Sequence, residues 1–308
     1  MVVNWIKRQL AAAQPADLVF MAYVSFTGVL LAAVGWRLGP GLWIGLTLTH
    51  VALMLFGLWV AGVPARDRSV GGFFRDVYPI ASVVYLYWEL RYLALLFTDG
   101  YHDGVILWLE EAIFGEQLAM TLSQHFPFFW LSELMHFFYA SYWFLLPLAL
   151  ILLYARGNLR GFRNLIFAET IVYFGCYLVF MFWPVTGPHY QFPVISGDLA
   201  DGAMYKWVHW MLEDGGSKGA AFPSSHVAVA VAVSLVTWRV DRFVWALTLP
   251  FVVGLTVSTV YGRFHYGIDA LAGILAAVIL VWMARHLQPW LERQSGRIAG
   301  NAPGSVPV

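Results

Sequence analysis

The sequence has few charged residues and almost no cysteine. Charged residues occupy 12% of its 308 positions, against roughly 25% in an average globular protein. A soluble protein needs a more polar surface, and a disordered chain needs still more charge, so both classes are excluded. The 18 basic and 18 acidic residues balance, so there is no net positive charge to attract nucleic acid. The single cysteine, Cys176, excludes an intramolecular disulfide and with it a disulfide-stabilised scaffold.

Apolar residues dominate instead. They make up 60% of the chain, and the mean hydropathy is +0.68. The alternation typical of membrane strands is absent, so the sequence predicts an all-α, polytopic membrane helical bundle. Stretches of about 20 mostly apolar residues can cross a bilayer as helices. Eight such stretches are predicted to be transmembrane helices: 18–36, 41–63, 78–97, 133–154, 164–183, 222–238, 243–260 and 265–285.

Basic residues predict how the chain is oriented in the membrane. Lys7 and Arg8 precede the first apolar stretch, which lacks a small-residue cleavage site and is therefore predicted to be a retained span. With the N-terminus in the cytoplasm and eight alternating spans, most of the 18 basic residues fall in cytoplasmic segments, in line with the positive-inside rule. Both termini are thus expected to be cytoplasmic. Arg91 lies within a span, and the outer segments hold the other exceptions: Arg37, Lys206, Lys218 and Arg263.

Two of the predicted outer segments are long. Residues 104–122 mix apolar and acidic positions, which predicts a helix at the membrane interface, and the surrounding stretch 98–132 contains no Lys or Arg. Residues 184–221 are rich in Pro and Gly, and irregular backbone of this length is often functional. We expect one integral membrane domain over residues 1–295 and a disordered cytoplasmic tail at 296–308.

Two polar clusters lie where predicted spans begin. The first, Phe222–His226, opens the sixth span, and the second, Tyr261–Asp269, opens the eighth. Ionisable residues at such positions are costly and mark functional sites by default. Between the two clusters the chain crosses the membrane twice, once through the sixth predicted span and back through the seventh. Both are therefore expected at the outer face and close to each other.

These clusters contain the residue types that phosphoryl transfer needs. His265 and Asp269 are four positions apart and share a helix face, so the carboxylate can accept the Nδ1–H and leave Nε2 free as a nucleophile or base. Ser224 is a suitable N-cap for the helix that carries His226, and such a helix N-terminus favours an anion. Either cluster alone is typical of a helix-stabilising contact. Together they supply a nucleophile, a proton donor and anion-stabilising groups.

The two clusters resemble motifs of the type-2 phosphatidic acid phosphatase superfamily, which contains lipid phosphate phosphatases and related phosphotransferases. Pro223–His226 reads P-S-S-H and matches the second motif, P-S-G-H, with Ser in place of Gly. Ser258, His265 and Asp269 match the third motif, S-R-x5-H-x3-D, with Thr259 in place of its Arg.

The sequence also departs from the first motif of that superfamily. This motif, K-x6-R-P, corresponds to residues 183–190, where there is no Lys or Arg. The combination of F-P-S-x-H, S-T-x-Y and H-Y-x-x-D resembles the branch that includes inositol phosphorylceramide synthase, with sphingomyelin synthase more distant. The resemblance covers residues 183–273, less than a third of the chain, and this is the motif-bearing part of the predicted catalytic domain.

The resemblance implies a role for each matching residue. His265 would attack phosphorus in line and form a phosphohistidine, and Asp269 would orient the ring and stabilise its charge. His226 would protonate the departing oxygen and then activate the acceptor. Ser224 and Ser225 would donate hydrogen bonds to the phosphoryl oxygens. A core of six helices is expected within the bundle of about eight, with no metal or other cofactor.

Other residues must replace the missing basic groups, because an uncompensated phosphate in a low-dielectric site is costly. Arg263 lies two residues before His265, and Arg91 lies near the outer end of the third predicted span with Glu89 close by. Both arginines also have a structural interpretation, as interfacial or ion-paired residues. The remaining candidates for phosphate or headgroup binding, which have equally ordinary structural interpretations, are Lys218, His189 and Tyr190.

The sequence therefore predicts a multi-pass membrane enzyme, a lipid phosphate phosphatase or phosphotransferase. Its active site would face the periplasm, the cell exterior or an organelle lumen. Its partners would be a lipid phosphate, water or an alcohol acceptor, and the surrounding lipids, with no nucleic acid. Three alternatives remain open: a headgroup transferase similar to inositol phosphorylceramide synthase, a lipid transporter, and a zinc-dependent hydrolase. The zinc alternative would use His226, His265 and Asp269 as ligands, with His189 as a further candidate.

Overall fold

The computed structural model describes residues 2–64 and 67–300 of the chain. Within these residues the regular secondary structure is helical, with an isolated β-bridge between Val185 and Ala220 and no strand. The predicted all-α membrane helical bundle is confirmed. The α-helices are α1 (Val2–Ala12), α2 (Pro15–Val34), α3 (Pro40–Ala61), α4 (Val70–Leu93), α5 (Asp103–Phe114), α6 (Leu118–His125), α7 (Phe129–Ala140), α8 (Tyr142–Ala155), α9 (Leu159–Phe182), α10 (Pro188–Gln191), α11 (Ala203–Gly215), α12 (Ser225–Val240), α13 (Arg242–Tyr261) and α14 (Gly267–Gly300), and 3-10 helices cover Gly35–Leu38 and Gly197–Ala200.

Five helical segments in the described part of the chain are long and apolar enough to cross a membrane, judged by length and composition. They are Pro15–Leu38, Pro40–Ala61, Leu159–Phe182, Arg242–Tyr261 and Gly267–Ser295. α7 and α8 together would form a sixth span, although they meet at a bend of 50°. The chain is therefore a multi-pass integral membrane protein.

Two of the eight predicted spans do not meet this criterion. The stretch 78–97 lies largely in α4, which carries several charged residues. Of these, Arg75, Asp76 and Glu89 are buried against neighbouring helices, which shields them from lipid. The stretch 222–238 lies in α12, which is apolar but only 16 residues long.

α14 is longer than the sequence indicated. It continues through Gly300, so residues 296–300 are helical where a disordered tail was predicted, and residues 301–308 lie outside the described residues. α14 packs beside α1, and the Ser295 hydroxyl donates a hydrogen bond to the Ala13 carbonyl (3.3 Å).

The centre of the bundle is formed by α9 and α12. α12 packs against α8, α9, α13 and α14. After His226 it alternates Val and Ala, and these small side chains let neighbouring helices approach closely. Gly273 of α14 shows how close the approach is, because a Cβ at this position would lie 2.6 Å from the Ser224 carbonyl oxygen at the start of α12. The crossing therefore places the first residues of α12 and α14, and with them the two polar clusters, side by side.

A short connection, residues 262–266, joins α13 to α14. The main-chain N–H groups of Phe264 and His265 both donate hydrogen bonds to the Thr259 carbonyl, at 3.0 and 2.9 Å. Arg263 adopts a φ of 61°, which is uncommon for a residue with a side chain. These features fold the connection back onto the end of α13 and fix the backbone of His265.

Candidate active site

The structure brings His226 and His265 into direct contact. The Nδ1 atom of His226 lies 3.2 Å from the Nε2 atom of His265. His226 is in the first turn of α12, where the Ser224 hydroxyl accepts a hydrogen bond from the Val227 N–H (3.3 Å) and caps the helix. His265 comes from the connection before α14. At this distance one of the two imidazoles donates a proton and the other accepts it.

Asp269 lies behind His265, at the position that its spacing predicted. Its Oδ2 atom is 3.5 Å from the Nδ1 atom of His265, too long for a strong hydrogen bond and chiefly an electrostatic contact. The carboxylate is fully buried, and Oδ2 accepts a hydrogen bond from the Tyr266 N–H (2.9 Å). A carboxylate on the Nδ1 side favours a proton on that nitrogen, so Nε2 is left unprotonated and faces His226.

Burial keeps His265 uncharged. Because His265 lies outside the spanning helices but inside the protein, loss of hydration lowers the pKa of His265 to about 4. The polar main chain of Ala221 raises the pKa of His265 and offsets part of this effect. At neutral pH the imidazole therefore keeps the lone pair that a nucleophilic histidine needs.

An elongated cavity of about 620 Å³ opens beside the histidine pair. His226, His265 and Ser225 line its polar end. From there the wall follows α4 from Arg91 back to Phe73. At 1.5 Å per residue this part of α4 is roughly 27 Å long, which is close to the ~30 Å thickness of the hydrocarbon core of a bilayer. The rest of the wall is mainly apolar and includes Val77, Ile80, Val83, Val84, Leu146, Leu150 and Ile151. The cavity is thus an apolar channel with the histidines at one end.

Arg91 lines the polar end of this cavity. Its guanidinium lies over the Trp88 ring, 5.5 Å from the centroid, and its buried Nε has no hydrogen-bond partner among the described residues. The buried Ser217 hydroxyl on the same wall also lacks a partner there. Glu89 does not pair with Arg91, because its Oε1 contacts the Nε2 atom of His50 (3.4 Å). Arg91 and Ser217 therefore have donors available to an anionic group.

Three further candidates lie near the same end of the cavity. His189 and Tyr190 line it and are exposed at its rim. The ammonium of Lys218 packs over the rings of Tyr101 and Tyr190, at 5.1 and 5.4 Å from their centroids, and is not part of the cavity wall. Lys218 is therefore close to the rim, and its role as a phosphate ligand stays a prediction.

Arg263 and Ser224 point away from the cavity. The Arg263 guanidinium donates hydrogen bonds to the carbonyl oxygens of Pro193 and Met120 and to the Ser123 hydroxyl. The Ser224 hydroxyl is engaged in capping α12. No contact in the described residues directs either side chain at the histidine pair, and the phosphate-binding roles predicted for them remain without structural support.

Sequence reasoning missed two carboxylates beside the site. Residues 104–122 form α5 and α6, and α5 buries Asp103 and Glu110 while Glu111 is exposed. Both buried carboxylates accept hydrogen bonds from residues next to the histidine pair. The sequence does carry a signal for them: two acidic residues seven apart share a helix face, in a segment without a basic partner for either.

The ligands of the zinc alternative are not arranged around one point. His226, His265 and Asp269 lie in a row, each in contact with the next. Among the residues that the structure describes, no group of three His, Cys, Asp or Glu side chains could hold a metal ion. The zinc alternative therefore has no ligand set in this part of the chain.

Residues 113–283 match a family model that is described as the PAP2 superfamily. The match covers more than half of the chain and includes both polar clusters, whereas α1 to α4, Asp103 and Glu110 lie outside it. No curated protein and no solved structure gives a significant match to the chain.

Proposed function

Because the chain belongs to the PAP2 superfamily, we propose that it acts on a lipid phosphate through a phosphohistidine at His265. Membership supports phosphatase or phosphotransferase activity in general. The observation that carries the finer proposal is the 3.2 Å contact between His226 and His265, with Asp269 behind His265, at the polar end of an apolar channel.

In the first half-reaction the substrate phosphate enters between the two imidazoles and replaces their contact. The Nε2 lone pair of His265 forms a bond to phosphorus while the bond from phosphorus to the lipid oxygen breaks. The negative charge of the bound phosphate favours a proton on His226, and His226 gives this proton to the departing oxygen, so the lipid leaves as a neutral alcohol. Asp269 stabilises the positive charge that develops on the His265 ring.

In the second half-reaction His226 is neutral and removes a proton from the acceptor. The acceptor oxygen bonds to phosphorus while the bond from phosphorus to the His265 nitrogen breaks, and His226 regains its proton. With water as acceptor, inorganic phosphate is released. With a phosphodiester substrate and an alcohol acceptor, the same steps transfer a headgroup, which is the alternative suggested by the resemblance to inositol phosphorylceramide synthase.

The cavity supports a lipid as the substrate. Arg91 takes the place of the basic residue that the first motif lacks, and Ser225 and Ser217 donate hydrogen bonds to the phosphoryl oxygens. His189 and Tyr190 at the rim contact the headgroup. The hydrocarbon chain then lies along α4, where burial of each methylene contributes about 0.8 kcal/mol.

We assign the histidine pair to the outer face of the membrane. α12 and α14 both begin at this pair; α12 runs to Arg239 in its last turn, and α14 runs in the same sense to Arg285 near its middle. Since basic residues accumulate on the cytoplasmic side, this arrangement supports an outward-facing site.

The test uses the purified protein in lipid nanodiscs with a panel of lipid monophosphates, diphosphates and phosphodiesters. Inorganic phosphate and new phosphate esters are measured by mass spectrometry, with and without a polyol acceptor. We expect turnover that vanadate blocks and EDTA does not, and that His265→Ala and His226→Ala abolish. His286→Ala, at an exposed position on α14, serves as the control and keeps wild-type turnover. Absence of both phosphate release and headgroup transfer across the panel contradicts the proposal, as does an active His265→Ala variant.

A further inference from the structure

α5 presents two buried carboxylates to the backbone around the histidine pair. Asp103 and Glu110 are seven residues apart, about two helical turns, so they lie on one face of α5. Glu110 is completely buried and Asp103 is 5% exposed. Glu111, the next residue, faces outward. Such a pair of buried charges is costly unless its hydrogen bonds are made, and the bonds show what α5 holds in place.

Glu110 holds the first turn of α14. Its Oε1 accepts a hydrogen bond from the Gly267 N–H (3.0 Å), and its Oε2 accepts one from the Ile268 N–H (2.9 Å). These N–H groups have no partner within their own helix, and a negative charge is favourable at a helix N-terminus. Gly267 follows His265 by two residues, and Asp269 comes directly after Ile268. The Glu110 carboxylate therefore fixes the backbone on which both catalytic side chains are mounted.

Asp103 holds Tyr266, the residue directly after His265. Its Oδ1 accepts hydrogen bonds from the Tyr266 hydroxyl (3.1 Å), the Thr186 hydroxyl (2.8 Å) and the Gly187 N–H (3.0 Å). Its Oδ2 accepts one from the Thr186 N–H (2.9 Å). One carboxylate thus joins the residue after His265 to the stretch that corresponds to the missing first motif.

That stretch also supports the cavity wall beside His265. The Val185 N–H donates to the Gly219 carbonyl (3.1 Å), and the Ala221 N–H donates to the Val185 carbonyl (3.0 Å). Ala221 and His265 both line the polar end of the cavity. A displacement of the Asp103 carboxylate is therefore passed to His265 through Tyr266, and to the cavity wall beside it through Val185 and Ala221.

We propose that Asp103 and Glu110 are positioning residues, which orient His265 toward phosphorus by fixing the three residues that follow it. The proposal rests on the proposed function for its kinetic test, since it assigns a role within the same site. It has a further consequence for the substrate. The Glu110 carboxylate occupies the N–H groups of α14 that would otherwise bind an anion, so the phosphate lies on the α12 side, near Arg91.

The test compares Glu110→Gln, Glu110→Ala and Asp103→Asn with the exposed neighbour Glu111→Gln. In Glu110→Gln the side-chain oxygen can still accept one of the two bonds, but the NH2 group faces an N–H. We expect kcat to fall roughly 10- to 100-fold, because displacement of a reacting group by about 1 Å costs on the order of 100-fold. KM should change less than about threefold, because neither carboxylate lies on the cavity wall. The kcat of Glu110→Ala should be lower than that of Glu110→Gln, and the kcat of Glu111→Gln should equal that of the wild type.

Each comparison requires folded protein. Only protein that elutes as a monodisperse species and shows an intact melting transition is used, and kcat is calculated per folded molecule. The proposal is overturned if folded Glu110→Gln and Asp103→Asn keep a wild-type kcat. It is also overturned if activity falls only in proportion to the folded fraction, because the carboxylates would then act on stability alone.

A second readout does not depend on turnover. Diethyl pyrocarbonate acylates neutral imidazoles. Peptide mass spectrometry separates the histidines, so the acylation rate of His265 can be measured alone. Loss of a positioning carboxylate should change that rate at least severalfold in Glu110→Gln and not in Glu111→Gln. If the wild type proves inactive on every lipid phosphate while this difference persists, the proposed function fails and the positioning role stands. Equal rates in the two variants and the wild type overturn the positioning role.

Discussion

Gly273 controls the distance between the two helices that carry the histidines. An added Cβ would lie 2.6 Å from the Ser224 carbonyl oxygen and 3.1 Å from the Val227 Cβ, whereas ordinary contacts begin at 3.4 Å. The neighbour at 2.6 Å is backbone and cannot rotate away. In Gly273→Ala the start of α12 and the first turns of α14 must therefore separate by about 0.8 Å, the difference between 3.4 and 2.6 Å.

This separation acts directly on the proposed catalytic pair. His226 moves with α12 and His265 is anchored at the start of α14, so their 3.2 Å contact lengthens to about 4 Å. A shift of this size at a reacting centre costs on the order of 10- to 100-fold in kcat. Overpacking of the helix crossing also lowers the free energy of unfolding by about 1–3 kcal/mol. The protein should remain folded and lose most of its activity.

The assay measures kcat and KM for a lipid phosphate together with the melting temperature of Gly273→Ala. Gly45→Ala is the matched control, because Gly45 lies inside the spanning helix α3 and a Cβ there meets nothing within 4 Å. The control should keep wild-type kcat and gain up to about 1 kcal/mol in stability, since glycine is a poor helix residue. Wild-type kcat in folded Gly273→Ala would refute the link between helix approach and catalysis.

Three other predictions concern individual side chains of the site. The pKa of His265 is lowered to about 4 in the folded protein, against about 6.5 in an unfolded chain. Between these two pH values the unfolded state binds more protons than the folded state. The free energy of unfolding therefore falls as the pH drops from 6.5 to 4. The melting temperature of His265→Gln should therefore fall less than that of the wild type over this range, and equal falls contradict the assignment. Asp269→Asn should lower kcat by at least about 100-fold with little change in KM, because the amide cannot stabilise the developing imidazolium; a kcat within threefold of wild type is the contrary result. Arg91→Gln should lower kcat/KM by roughly 10- to 100-fold, with partial recovery in Arg91→Lys, and unchanged kinetics would remove Arg91 from the phosphate site.

The sequence was sufficient to predict the pairing of the two histidines. The periodicity of the spans places Phe222–His226 and Tyr261–Asp269 at the same membrane level, and the motifs assign them related chemistry. The apolar runs also predict most of the spans correctly. Two predicted spans fall outside the criterion of length and composition, because α4 carries buried charged residues and α12 has only 16 residues.

Side-chain direction could not be read from sequence spacing. Arg263 is two residues from His265, yet the positive φ of Arg263 and its bonds to Pro193 and Ser123 turn it away from the cavity. Arg91 is more than a hundred residues from either histidine along the chain and still lines the same cavity. Asp103, similarly, acts through tertiary hydrogen bonds, which depend on how the helices pack rather than on any local pattern.

The central claim is a covalent phosphohistidine at His265, and trapping it is the most direct measurement. His226→Ala removes the group that activates the acceptor, and a phosphate monoester of an alkyl-substituted nitrophenol supplies a leaving group that needs no proton. Rapid mixing, followed by alkaline quench and peptide mass spectrometry, should then find phosphate on His265 at close to one per folded protein, and none in His226→Ala/His265→Ala. Turnover of the substrate by the wild type with no phosphorylated intermediate on His265 in the trapping variant, or with phosphate on another residue, would contradict the account.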